Sequence, residues 1–418
     1  MAKEFQQTST EPIFYNHRPA SAEDIPVELM HAVFGRFRDN TTSRPPDLDD
    51  VKFTVDLCAA MSGYYKVEAD RVEDFIKLLE KHYKIHTHGV IIRKSNVSTD
   101  ATFLVEEHMI MNGEGRNEPG RSGNPTIQNT GYYGKHIVGL DETVAATHRL
   151  PVFLIDQAGP ILTLNMAIYG SKIIVDPFPF ALNLACSTHD MATFTRVLGA
   201  LKEGIMELSN YYKEKPLPTI PREQRKFPYF ASYPGPGDTE AMLRYCERLV
   251  PQAPHLVFLA SESIGSTERN VIVKFSRSYG VEAHRLCQEH GLAPDLIYTK
   301  KLDGGWTVVV MAHITSPFKL LSECKSTELM SLQPVAKAAV KQLHDAGFVH
   351  GDLRATNIFG DPIGGVVKII DWDWAGTAGM VKYPEMMNPV VGHAKGARMG
   401  EDILATHDLE TLSMIFSP

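Results

Sequence analysis

Apolar and polar positions alternate in two textures along the chain. Up to about residue 212, helix-spaced and strand-spaced patterns are interleaved. "DRVEDFIKLLEKHY" (70–83) carries its apolar residues at helical spacing, and Val197, Leu201, Ile205, Leu208 and Tyr212 fall on one face of a second helix. Apolar runs at 88–94, 102–107, 151–157, 161–169 and 172–178 predict strands, with Gly170-Ser171 as a tight turn between the last two. The polar "NGEGRNEPGRSGNPTIQNTG" predicts mostly loop. Beyond residue 254 the strands come first, at 255–260, 270–275, 295–300 and 306–313, with a helix at 280–291 among them. A longer helix follows at 334–347.

Between these textures lies "KEKPLPTIPREQRKFPYFASYPGPGDT" (213–239), whose six prolines and two glycines deny a continuous backbone to helix and sheet alike. The expected organisation is therefore an α/β domain at 1–213, a semi-rigid linker at 214–239 and a compact domain at 240–418.

Composition narrows the function classes. The 418 residues are 43% hydrophobic and 22% charged, as in ordinary globular proteins. A net charge of −8 supplies no overall basic field, so nucleic acid is not an expected partner. The five cysteines are scattered without CxxC spacing, which suits reduced thiols rather than a disulfide framework or a zinc site. No basic-then-apolar leader and no 18-residue apolar run is visible, so a cytoplasmic or nuclear protein without a membrane partner is expected. His86 and His88 share one face of an expected strand, but no third ligand at useful spacing makes them a metal site.

Candidate chemistry concentrates in "VHGDLRATNIFG" (349–360) and "VVKIIDWDWAG" (366–376). Asp352, Asn357 and Asp371 bring three hard-oxygen groups onto adjacent turns, and Mg²⁺ takes such oxygens together with substrate phosphates. Asn357 follows Asp352 by five positions and Asp371 follows by fourteen more. This spacing resembles the protein-kinase catalytic loop H-x-D-L-x-x-x-N and its metal-binding Asp. "VIVK" ends in Lys274, where the pattern has a phosphate-binding lysine on a strand, and "THDLETL" offers Asp408 as a brace for the loop backbone. The resemblance implies Asp352 as base, Arg354 facing the transferred phosphoryl group and Lys274 as phosphate clamp. It also implies Asn357 and Asp371 as metal ligands, Met311 as a nucleotide contact, and Glu282 as the partner of Lys274, with Glu289 in reserve.

The departures matter too. Gly351 stands where many protein kinases carry an Arg, and "HGDL" is closer to aminoglycoside and choline phosphotransferases. "SESIGSTERN" holds only Gly265 where a Gly-rich phosphate loop is expected, and "DWD" stands for D-F-G. Few residues separate Asp371 from Tyr383-Pro384-Glu385, the counterpart of A-P-E. In the first half, Glu114-x-Arg116, with Gln128 after it and Asp100 before it, resembles the metal-binding core of restriction-endonuclease-like domains. Arg stands there for Lys, which predicts a degenerate version.

The whole is similar to fungal-type protein-kinase-like proteins and to the C-terminal regions of Crinkler-type effectors. That resemblance implies an α+β protein: a two-lobed protein-kinase-like C-terminal domain preceded by an α/β restriction-endonuclease-like domain. It further implies ATP and Mg²⁺ as cofactors and a protein hydroxyl as phosphate acceptor. A small-molecule phosphotransferase and a pseudokinase scaffold are the alternatives.

Overall fold

A computed structural model describes residues 14–15, 25–84, 99–119, 124–186, 188–214, 216–250, 255–388 and 390–417. The expected strand at 88–94 and the His86–His88 pair lie outside these residues. The structure is mixed α+β, and its contacts separate into two compact units, Met1–Ala231 and Ser232–Pro418.

The first unit is built on a mixed sheet with strand order β1-β6-β5-β4-β3-β2 and β7 paired to β5. Its strands are β1 (Phe14–Tyr15), β2 (Ala101–Val105), β3 (His108–Arg116), β4 (Val152–Ala158), β5 (Ile161–Tyr169), β6 (Ile173–Pro177) and β7 (Leu182–Asn183). The helices are α1 (Val27–Met30), α2 (Ala32–Ser43), α3 (Leu48–Met61), α4 (Glu68–Tyr83), α5 (Pro125–Gly139), α6 (Glu142–Thr147) and α7 (Thr188–Lys213). Helix α7 buries the face read from the sequence, Val197, Leu201, Ile205, Leu208 and Tyr212.

Of the stretch expected to be mostly loop, residues 112–116 belong to β3 and 125–131 to α5. Its polar residues mislead because they are buried and paired: the Asn112 side chain donates to Asn129 Oδ1 at 2.7 Å, and Asn129 donates to Asp156 Oδ1 at 2.8 Å.

The Pro-rich stretch does not hang between the units. Leu217, Phe227 and Phe230 are buried, the Arg225 guanidinium donates to Ala145 O at 2.7 Å, and Tyr229 N donates to Leu29 O at 2.7 Å. Apolar side chains among the prolines give this segment a surface to bury, so it folds onto the first unit. Its end, Ser232–Pro234, is already the first strand of the second.

That second unit opens with an antiparallel sheet of order β12-β13-β11-β10-β9-β8. Its strands are β8 (Ser232–Pro234), β9 (Glu240–Arg248), β10 (Leu256–Ile264), β11 (Thr267–Ser276), β12 (Leu296–Lys301) and β13 (Thr307–Ala312), with helix α8 (Val281–Glu289) between β11 and β12. Then come β14 (Lys319–Leu320), helix α9 (Ser326–Asp345), β15 (Phe348–Val349), β16 (Ile358–Asp361), β17 (Val366–Ile369), β18 (Gly376–Thr377) and helix α10 (Ala405–Ile415). Leu343 of α9 packs with Leu353, Ile358, Val367, Trp372 and Leu412 in one core. Among the described residues no helix is long and apolar enough to cross a membrane.

Candidate active site

The segment from Val349 to Gly360 is pinned by its apolar residues: Val349, Leu353 and Ile358 are buried. Between these anchors the polar side chains turn together. Asp352 Oδ2 accepts from Arg354 Nη2 at 2.7 Å and from Asn357 Nδ2 at 3.0 Å, and the same Asn357 amide donates to Asp352 O at 2.9 Å. His350 sits beneath. Its Nε2 donates to Ile370 O at 3.0 Å, so Nδ1 is the acceptor for Asp352 N at 3.2 Å; these partners assign the tautomer.

Asp408 of α10 closes the loop from behind. Its Oδ2 accepts from His350 N and its Oδ1 from Gly351 N, each at 2.8 Å. Gly351 has a φ of +83°, and a Cβ there would lie 2.9 Å from Ile403 Cδ1. The glycine is thus demanded by the backbone as well as by space.

Strand β17 delivers the second acidic turn. Ile370 N donates to Asn357 O at 2.9 Å, tying the strand end to the loop. Asp371 then takes a left-handed φ of +68°, a conformation Asp tolerates better than most residues and one that gathers at functional sites. Trp372 is fully buried, stacked on His284 at 5.6 Å and edge-on to His350 at 4.9 Å. With that indole in the core, Asp371 and Asp373 on either side both reach Lys274.

Lys274 lies on β11 facing away from buried Val271, Val273 and Phe275, as strand alternation requires. Its Nζ donates to Asp371 Oδ1 and stands 2.7 Å from Asp373 Oδ1. Burial pulls the ammonium down, yet the two carboxylates outweigh it and raise the group to about 12. Burial raises both aspartates. Lys274 offsets this at Asp371, which ends below its ordinary value, while the neighbouring Asp371 charge helps keep Asp373 above its own.

Lys274, Arg354, Asn357 and Asp371 together line a cavity of about 480 Å³. Its walls are otherwise mostly apolar, with Val257, Ile272, Met311 and Phe359 among them and His255, His313 and Thr356 as further polar groups. Met311 belongs to this wall because it pairs across the sheet with Ile272, two residues from Lys274.

Two expectations need correction. Glu282 is exposed on the first turn of α8, as is Glu289 near its end, and neither pairs with Lys274 among the described residues. The inward positions of α8 hold Ala283, His284 and Cys287 instead. His284 Nδ1 accepts from the Tyr279 hydroxyl and Nε2 donates to Pro294 O, each at 2.8 Å. The second correction concerns the cover over the cavity. "SESIGSTERN" is no loop: β10 and β11 pair out to Ile264 and Thr267, leaving Gly265-Ser266 as a tight hairpin turn. The cavity is bordered instead by the β9–β10 connection, through Leu249, Val250 and His255.

In the first unit, the four residues singled out around Glu114 do come together, about Arg116. Its Nη2 lies 2.7 Å from Glu114 Oε1 and donates to Gln128 Oε1, while Nη1 is 3.9 Å from both Asp100 Oδ2 and Glu68 Oε1. Burial, then the Asp100 charge, push Glu114 up to about 8 against the pull of Arg116. Glu68 was not foreseen, since it sits far away in sequence on α4. Among the described residues no group of three or more His, Cys, Asp or Glu is arranged to hold a metal.

No family model matches the sequence, and no curated protein matches it. Among solved structures, the chain is similar to the kinase PK-1 of the Cydia pomonella granulovirus, at 13% identity and a TM-score of 0.33, over 42% of this chain and 68% of that one. What the site can do therefore rests on its own residues.

Proposed function

We propose that the 232–418 unit is an atypical protein-kinase-like phosphotransferase, moving the terminal phosphate of ATP to a protein hydroxyl with Mg²⁺ as cofactor. The observation that carries this reading is that Lys274, Arg354, Asn357 and Asp371 line one cavity, with Arg354 and Asn357 bonded to Asp352. An apolar pocket of this size with a few convergent polar groups suits a nucleotide. The donor set also fits the metal. Asp371 offers carboxylate oxygen, and Asn357, its amide nitrogen committed to Asp352, offers its amide oxygen. Two such ligands make only part of a shell, as suits an ion that shares its coordination with phosphates. When bound, Mg²⁺ would neutralise phosphate charge.

The chain's own residues supply positioning and proton transfer. Lys274 holds phosphate oxygens, and Arg354 steadies negative charge as it develops. Asp352 Oδ2 is held by Arg354 and Asn357, leaving Oδ1 to take the acceptor's proton. The acceptor oxygen bonds to the terminal phosphorus as the bond to the departing ADP oxygen breaks.

A small-molecule acceptor is the second reading, favoured by the short segment between Asp371 and Tyr383. The test is transfer from radiolabelled ATP by the full chain to proteins and to a panel of hydroxylated metabolites. Asp352→Asn should lose about 10²–10⁴-fold in rate while still binding nucleotide. Asp371→Ala should lose Mg²⁺-dependent nucleotide binding, read as a missing thermal shift. Near-full transfer by the Asp352 variant would overturn the assignment.

A further inference from the structure

We propose that Asp373, rather than a carboxylate on helix α8, is the counter-ion that positions Lys274. This rests on the phosphotransfer reading for its consequence, but the pairing itself can be tested without nucleotide.

Three observations converge. Lys274 Nζ stands 2.7 Å from Asp373 Oδ1. Helix α8 has no acid to offer: Glu282 is exposed, and the inward His284 is engaged at both ring nitrogens by Tyr279 and Pro294. Nor is the helix poised to turn. Gly280 N donates to Trp372 O at 2.8 Å, and a Cβ on Gly280 would stand 2.4 Å from Ala375 O. The start of α8 is thereby seated on the turn that carries Asp373.

Asp371 is the other carboxylate on Lys274, and it is also the proposed metal ligand. An Asp371 oxygen engaged by a cation is a weaker partner for an ammonium, and Asp373 is then the nearby acid left to hold Lys274. Asp373 is in this sense a positioning residue, acting on phosphate through the lysine. The consequence is a clamp that assembles with its own acidic turn and needs no movement of α8.

The experiment has two arms on the full chain. In the first, thermal unfolding without nucleotide or metal is compared for wild type, Lys274→Met, Asp373→Asn and their double variant, with a matching cycle for Glu282→Gln. The expected result is that the Lys274/Asp373 double variant loses clearly less than the sum of the singles, while Lys274 and Glu282 add. Additivity at Asp373, or coupling at Glu282, overturns the proposal. The second arm measures KM for ATP and kcat separately, and it decides if Lys274→Met fails to fold. Asp373→Asn should raise KM about ten-fold, the worth of one charge-assisted contact, with Asp373→Glu restoring most of it. Glu282→Gln should leave KM within about two-fold, the change expected when no such contact is lost. If Asp373→Asn lowers kcat at unchanged KM, ATP binding does not depend on this carboxylate, and that outcome rejects the positioning role. Should wild type neither bind nor transfer, the phosphotransfer reading falls, while the first arm still decides the pairing.

Discussion

His284 shows how a single buried side chain can make this protein acid-sensitive. Burial lowers its imidazolium to about 4, against the Pro294 carbonyl, whose hydrogen bond from Nε2 favours the charged ring. The unfolded chain protonates near 6.5, so between these values it binds more protons than the folded one. Stability from the neutral ring is therefore complete above about pH 6.5 and is lost as pH falls toward 4, by at most ~3 kcal/mol. The expected outcome is a falling Tm over that window, with a shallower slope in His284→Gln than in wild type. Two other histidines, His31 and His82, titrate low as well, so the comparison between variant and wild type is the informative one. Equal slopes would show that His284 does not take up a proton on unfolding. The sequence marks His284 only as a polar residue on a helix; its role appears when Tyr279, Pro294 and Trp372 surround it.

At the scale of elements, the loop from Val349 to Gly360 stands out in the sequence because its contacts are largely local. Anchors and polar groups alternate within a few residues, and one distant partner, Asp408, is itself a helix-borne acid visible in "THDLETL". Gly351 illustrates the limit. The sequence shows a missing Arg, whereas the structure shows a φ of +83° with Ile403 and Trp374 packed against the Cα. Gly351→Arg should therefore cost on the order of 1–3 kcal/mol, seen as a lowered Tm, rather than restore regulation by phosphate. Phosphatase treatment of wild type should likewise leave the initial transfer rate unchanged, and a lag relieved by prior incubation with ATP would contradict this. Other elements carry weaker signals. Strand β9 buries Ala241, Leu243 and Tyr245 at strict alternation, hidden by the prolines that precede it. Helix α9 begins two turns before Pro334, whose usual helix-breaking role pulled the expected start too far along.

Across the whole molecule, the two units make opposite use of their charged clusters. The second unit turns Lys274, Arg354, Asn357 and Asp371 into a cavity, whereas the first closes Glu114, Gln128, Asp100 and Glu68 around Arg116. A guanidinium does not give up its proton and cannot be displaced as a bound ion can, so it holds the place where converging carboxylates would otherwise collect a divalent cation. On this reading the full chain cleaves neither DNA nor RNA with Mg²⁺ or Mn²⁺ above background, and Glu114→Gln changes nothing in that assay. Metal-dependent cleavage abolished by Glu114→Gln would make this a two-enzyme chain.

Residue type and short-range spacing were enough to single out Asp352, Arg354, Asn357 and Asp371, which sit on two turns close in sequence, and Lys274 near the end of an apolar strand. They were also enough for the strands and helices whose apolar residues keep a clean period. What only the tertiary structure decided was pairing across long separations: Asp373 rather than Glu282 against Lys274, Leu249, Val250 and His255 beside the cavity, and the Pro-rich stretch on the first unit. The physical reason is common to all three. A charge or an apolar side chain needs a partner, but sequence alone states the need and not the neighbour, which chain packing supplies.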